Sequence, residues 1–110
     1  MVAPFEIREF IEGVRSPFAD WFDDLDSVTA ARVYRYVRRL ESGNFGAAKV
    51  VGEGVSELRL DFGPGYRVYF GREGKTLVIL LGGGSKRRQN ADIAAAIVRW
   101  RHYQQAKKDK

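Results

Sequence analysis

The chain contains no cysteine, which excludes disulfides, thiol catalysis and any cysteine-based metal site. It has a single histidine, His102, so His-rich metal sites are excluded and a Ser-His-Asp triad has no support. Its longest apolar run, Leu77 to Gly84, falls far short of the ~20 residues that span a bilayer. The opening stretch MVAPFEIREF carries an acid within six residues and no apolar h-region, so no signal peptide is expected. What is present suffices for a core: 45% of the residues are hydrophobic and 13% aromatic, which excludes a disordered chain. A length of 110 residues predicts one domain over 1–110. The expectation is a small, soluble, cytoplasmic protein with no membrane partner, no metal and no cofactor.

The charge is unevenly spread. Nineteen Lys and Arg against 14 Asp and Glu give +5 overall, yet residues 1–26 hold seven acids and two bases. The remaining residues hold 17 bases and seven acids, a balance of +10. Such asymmetry suggests a basic working face and a separate acidic one, the basic face suited to phosphate backbones or acidic proteins.

Along the chain, residues 2–11 read as a first strand. Ser16-Pro17 is a helix start, and Phe18, Trp21, Phe22 and Leu25 fall inward on a short helix from Pro17 to Leu25. Ser27 opens a longer helix with a stripe of Ala30, Val33, Val37 and Leu40, ending at Gly43. Arg32, Arg35, Arg38 and Arg39 lie off that stripe. Residues 45–54, rich in Gly, Ala and Lys, read as a loop. Val55 to Phe62 alternates, with Leu58, Leu60 and Phe62 on one side and Glu57, Arg59 and Asp61 on the other. Gly63-Pro64-Gly65 is a tight turn before a second alternating strand, Tyr66 to Phe70, and 72–75 is a second hairpin loop. Leu77 to Leu81 has the unbroken apolar character of a central strand covered on both faces. Gly82 to Asn90 then reads as a loop, with Asn90 capping a last helix that presents Ile93, Ile97 and Trp100. The order β-α-α-β-β-β-α predicts an α+β domain: a helical hairpin and a C-terminal helix packed on a mostly antiparallel, four-stranded sheet.

GGGSK stands between a strand and a helix but lacks the GxxxxGK[ST] spacing of a phosphate loop, so the glycines are better explained as a sharp turn. The placement of cations is more telling. Outward side chains of two strands joined at Gly63 to Gly65 share a face, which brings Arg59 and Arg67 together. Lys86, Arg87 and Arg88 follow the next strand, and Lys49 precedes the sheet. Fixed guanidinium groups stabilise the charge that builds on phosphate when RNA is cleaved by its own 2′-OH. Without a well-placed histidine, the base is either a lysine crowded by other cations or one of the carboxylates Glu57 and Asp61. Alternatively, Glu57, Arg59 and Asp61 simply pair across the sheet surface.

The stretch GVSELRLDFGPGYRVYFGREGKTLVILLGGGSKRRQNADIAAAI resembles the RelE/ParE toxin superfamily, and within it the HigB-like, phage-derived "addiction module killer protein" branch, with ELR, GPGYRVYF and LLGGGSK carrying the likeness. The resemblance covers residues 2 to about 105. It implies the toxin of a type II toxin–antitoxin pair, held in a hetero-oligomer by a small antitoxin, often of helix-turn-helix type. RelE-like members cut mRNA on the ribosome without a metal, using basic residues on this sheet. By position, Arg59 matches a strand lysine of that set, Arg67 the arginine of the GYR motif, and Arg87 the arginine after the central strand. Lys49 and Arg88 are expected to contact RNA. The family's catalytic tyrosine, six positions past that last arginine, is Ile93 here, which makes Lys86 the first choice for the proton-transfer role. It also keeps open a ParE-like reading, in which the same fold inhibits DNA gyrase by binding alone.

Overall fold

The structure, a computed structural model, describes residues 4–109. Local sequence signals account for its first half. Strand β1 is Glu6–Glu9 and helix α1 is Pro17–Asp23. Ser16 caps α1 by accepting a hydrogen bond at Oγ from the Ala19 amide, 3.0 Å away, and Pro17 supplies a first helical residue that needs no donor. Helix α2, Ser27–Glu41, is capped by Asp26, which accepts from the Thr29 amide at 2.9 Å and the Thr29 hydroxyl at 2.8 Å. Val33, Val37 and Leu40 are its buried stripe.

Four more strands follow: β2 (Ala48–Gly52), β3 (Val55–Arg59), β4 (Arg67–Glu73) and β5 (Leu77–Gly84). A 3-10 turn, Lys86–Arg88, leads directly into helix α3, Gln89–Lys108. The sheet order is β1-β5-β4-β3-β2, antiparallel throughout except for the parallel pair of β1 and β5. The α+β class and the mostly antiparallel sheet therefore hold. The α1–α2 hairpin covers one face, with Phe18, Val33, Val37 and Leu40 against Leu58, Val68, Phe70, Val78 and Leu80. Helix α3 covers the other, with Ala96 and Trp100 against Val55, Tyr69, Ile79 and Leu81. Strand β5 is thus buried on both sides, as its unbroken apolar run predicts.

Several expectations need correction. The sheet has five strands, not four, because β2 lies in the segment read as a loop. Its Lys49 and Val50 are exposed, so this edge strand is held by backbone pairing to β3 and shows no alternation to detect. The three glycines are the end of β5, not a turn: a Cβ on Gly83 would strike the Trp21 ring, and one on Gly84 the Asp92 carboxylate. Asn90 is not a cap, since Arg88 holds that position without a side-chain bond. Strand β1 is shorter than 2–11, and residues 2 and 3 lie outside the described residues. Helix α1 stops at Asp23, β3 stops at Arg59, and β4 runs on through Glu73. Finally, the side of the β3–β4 hairpin read as outward is roofed by α3, which leaves Glu57 and Arg67 buried.

Candidate nucleic-acid interface

The β3–β4 connection folds back on the end of β5. The Leu60 amide donates to Tyr66 O at 2.9 Å, and the Lys86 amide donates to Pro64 O at 3.2 Å. Gly65 has φ +72, and a Cβ there would press on Arg67 Nη1 and Lys86 Cβ, so only glycine fits. Beside this turn lies a depression of about 580 Å³, lined by residues 59–65 and Lys86. On the other side of Lys86 a second one, about 340 Å³, is lined by Lys86 to Ala91 at the start of α3. Lys86 stands between the two.

The electrostatics single out this end of the molecule. Arg59, Lys86, Arg87 and Arg88 are exposed, and among the described residues none has an ion pair. Three of them crowd the amino end of a 20-residue helix, where the helix dipole is already positive and no side chain caps the free amides. Cations there oppose the dipole, and an anion would relieve the conflict. Other cations have partners: Arg8 has Glu6, Arg15 has Asp20, Arg38 has Glu41, Arg101 has Glu53 and Lys107 has Glu73. Arg32 lies 4.0 Å over Phe62 and Arg39 4.5 Å over Tyr36, so part of the basic face of α2 is packed onto aromatic rings.

Arg67 sits differently. It pairs in register with Arg59 on β3, as the shared face predicts, but α3 covers it and it is only 5% exposed. Its Nη1 donates to Gly65 O, and its Nε lies 3.4 Å from Glu57 Oε1 with no hydrogen bond of its own. Glu57, 1% exposed, also accepts from Gln89 Nε2 at 2.8 Å. The hydroxyl of Tyr69 is buried nearby without a partner, and burial, reinforced by Glu57 and Asp92, pushes its pKa up and keeps it protonated. The surface pairing of Glu57 with Arg59 and Asp61 is therefore not what forms. Glu57 instead anchors Arg67 beneath α3, and Arg67 holds the turn.

Of the expected site residues, Arg59, Lys86, Arg87 and Arg88 come together. Arg67 lies behind them, and Lys49 lies on the β2 edge, opposite Glu57 in register, lining neither depression. Asp61 does line the first depression. Gln89 was missed as part of a loop; a polar residue just past a Gly-Lys-Arg run is a weak signal. Ile93, on α3, is partly buried against the core on that side, and Tyr103 donates to Glu73 Oε1 at 3.0 Å near the far end of the helix. Among the described residues no three His, Asp or Glu side chains group as metal ligands.

The α+β chain thus neutralises many of its cations and leaves four bare at one end of its sheet, an exposed basic surface. The comparisons supply the family. The chain belongs to the phage derived protein Gp49-like (DUF891) family, whose model matches residues 20–101, and this family is associated with the toxins of toxin–antitoxin systems. Over 80 residues the chain is 45% identical to an uncharacterized protein of Haemophilus influenzae, a match that covers 72% of this chain and 81% of that one.

Proposed function

We propose that this chain is a HigB-like addiction module killer toxin that acts as a metal-independent, ribosome-dependent mRNA endonuclease. The observation that carries the reading is the group of bare cations, Arg59, Lys86, Arg87 and Arg88, around two adjoining depressions. In the reaction the 2′-oxygen of one nucleotide bonds to the adjacent phosphorus as the bond to the 5′-oxygen breaks, giving a cyclic phosphate and a free 5′-hydroxyl. Arg59 and Arg87 stabilise charge on the phosphate oxygens. Lys86, between the depressions, takes the 2′-hydroxyl proton as the neutral amine and, as the ammonium so formed, returns it to the departing 5′-oxygen. Arg88 binds the flanking backbone, and Lys49 extends the contact along the β2 edge. Arg67 acts through the turn that it holds. A small antitoxin, of helix-turn-helix type, neutralises the toxin in a hetero-oligomer, and ribosomal RNA is its docking partner.

Controlled expression tests this directly. The expected result is growth arrest with translation-dependent mRNA cleavage, both abolished in Arg59→Ala and Lys86→Ala. Arrest without cleavage, persisting in both variants, overturns the reading. One observation favours a second reading, inhibition of DNA gyrase by binding: neither depression is lined by a tyrosine, the family's tyrosine position being Ile93 and Tyr103 being held by Glu73. That reading predicts that purified protein blocks supercoiling and leaves mRNA intact.

A further inference from the structure

We propose that the depression beside the β3–β4 turn is a nucleobase pocket that selects guanine, with Asp61 as the residue that reads the base. The proposal rests on the RNA reading above and goes beyond it by naming what the site distinguishes. Its starting point is an anomaly. Asp61 is an exposed carboxylate in a wall that otherwise carries the cations Arg59 and Lys86, yet among the described residues it pairs with neither. For a bare phosphate this carboxylate is a liability, since like charges repel at such range.

A nucleotide resolves the conflict. Its phosphate suits Arg59 and Lys86, while its base must offer hydrogen-bond donors to Asp61, because an ionised carboxylate only accepts. Guanine presents two parallel donors, N1–H and N2–H, that match the two oxygens of a carboxylate. Adenine and cytosine set a ring acceptor beside their one amino group, and uracil flanks its one N–H with carbonyls, so each opposes the second carboxylate oxygen. Pro64 and Phe62 supply the apolar wall. Phe62 is fixed by Arg32 at 4.0 Å and by the rings of Tyr66 and Tyr36 at 5.5 and 6.1 Å, so this wall of the open depression is set in place. Its volume, about 580 Å³, lies inside the ~300–1,000 Å³ of small-ligand pockets, and unstacked single-stranded RNA offers the Watson–Crick edge that Asp61 needs.

The test is fluorescence anisotropy of the purified protein with labelled 2′-O-methyl RNA hexamers that cannot be cleaved. One hexamer is all adenine; the others carry a single guanine or a single inosine, which lacks the N2 amine. The expected order is guanine, inosine, adenine, with guanine bound about tenfold more tightly than adenine. Asp61→Asn, checked for an unchanged thermal transition, should bring all three within about twofold of one another without weakening the adenine hexamer. Equal binding of guanine and adenine by the wild type, or a preference that survives in Asp61→Asn, overturns the base pocket and leaves RNA binding standing. No binding of any hexamer, either free or presented on ribosomes, overturns the RNA reading and the pocket with it.

Discussion

The two ends of α3 receive their cations in opposite ways. Toward its carboxyl end, Arg101 meets Glu53 from the β2–β3 turn, and Lys107 and Tyr103 both reach Glu73 at the end of β4. There the basic residues also complement the negative end of the helix dipole. At the amino end, among the described residues, Lys86, Arg87 and Arg88 form no ion pair and oppose the dipole, with Asp92 the single acid of the first turn. A chain selected only for stability would place fewer cations there. The difference teaches that the amino end gathers like charge against the helix dipole, and this arrangement, more than the net charge, supports the proposed RNA contact.

The largest expected effect separates the ends by activity. Arg59→Ala or Lys86→Ala should lower mRNA cleavage about 10²–10³-fold, the usual loss for one group that stabilises developing charge, while Arg101→Ala stays within about twofold of wild type. A reporter mRNA probed by primer extension reads both. Equal losses from the two ends would break the comparison.

Next in size is the buried pair. Glu57→Ala leaves the Arg67 guanidinium without its counter-charge under α3, and should cost about 3–5 kcal/mol in urea unfolding. The exposed pair at the other end is worth less, so Lys107→Ala should cost no more than about 1 kcal/mol. The double variant Glu57→Leu/Arg67→Met should recover most of the stability. Its activity then reports whether Arg67 contributes anything beyond holding the turn.

A smaller effect tests the dipole argument. Arg87→Glu should raise stability by about 1 kcal/mol at low ionic strength, a gain that shrinks with salt, while it weakens RNA binding. Destabilisation by this change would show that Arg87 has an internal partner.

The smallest prediction concerns pH, where the ends titrate in opposite directions. The Lys107 hydrogen bond, aided by Tyr103, holds Glu73 below the usual carboxylate range. Its stabilisation is present above the unfolded value and lost as pH falls through the folded one. Burial pushes Asp92 up at the amino end, with Arg88 and Arg99 opposing the shift. Its favourable contribution is present at low pH and lost as pH rises through its raised value. Unfolding between pH ~3 and ~7 should therefore show Asp92→Asn gaining on wild type as pH rises, and Glu73→Gln losing ground over the same interval.

Much of this architecture is legible before any coordinates. Ser16-Pro17, the stripe of α2, the Gly-Pro-Gly turn and the doubly buried β5 announce themselves because each is a local signal. The element that escaped, β2, is defined by hydrogen bonds to β3 and not by its own side chains. The bare cations are legible as a group because Arg59 falls on the outward side of a strand leading to the Gly-Pro-Gly turn and Lys86 to Arg88 follow the central strand. The burial of Arg67 was not, because alternation places a side chain on a face without saying what covers that face. Only the seating of α3, with Trp100 packed over β4 where Gly71 leaves room for its ring, turns that face into an interior.

The parallel pairing of β1 with β5 also sets an order in time. Glu6 lies opposite Leu77, so β1 has no neighbour in the sheet until β5 has been made. The β3–β4–β5 meander is local and can pair early, whereas β1 has to wait. Lys86 to Arg88 emerge only after β5. Three of the four bare cations are therefore synthesised only after all five strands of the sheet.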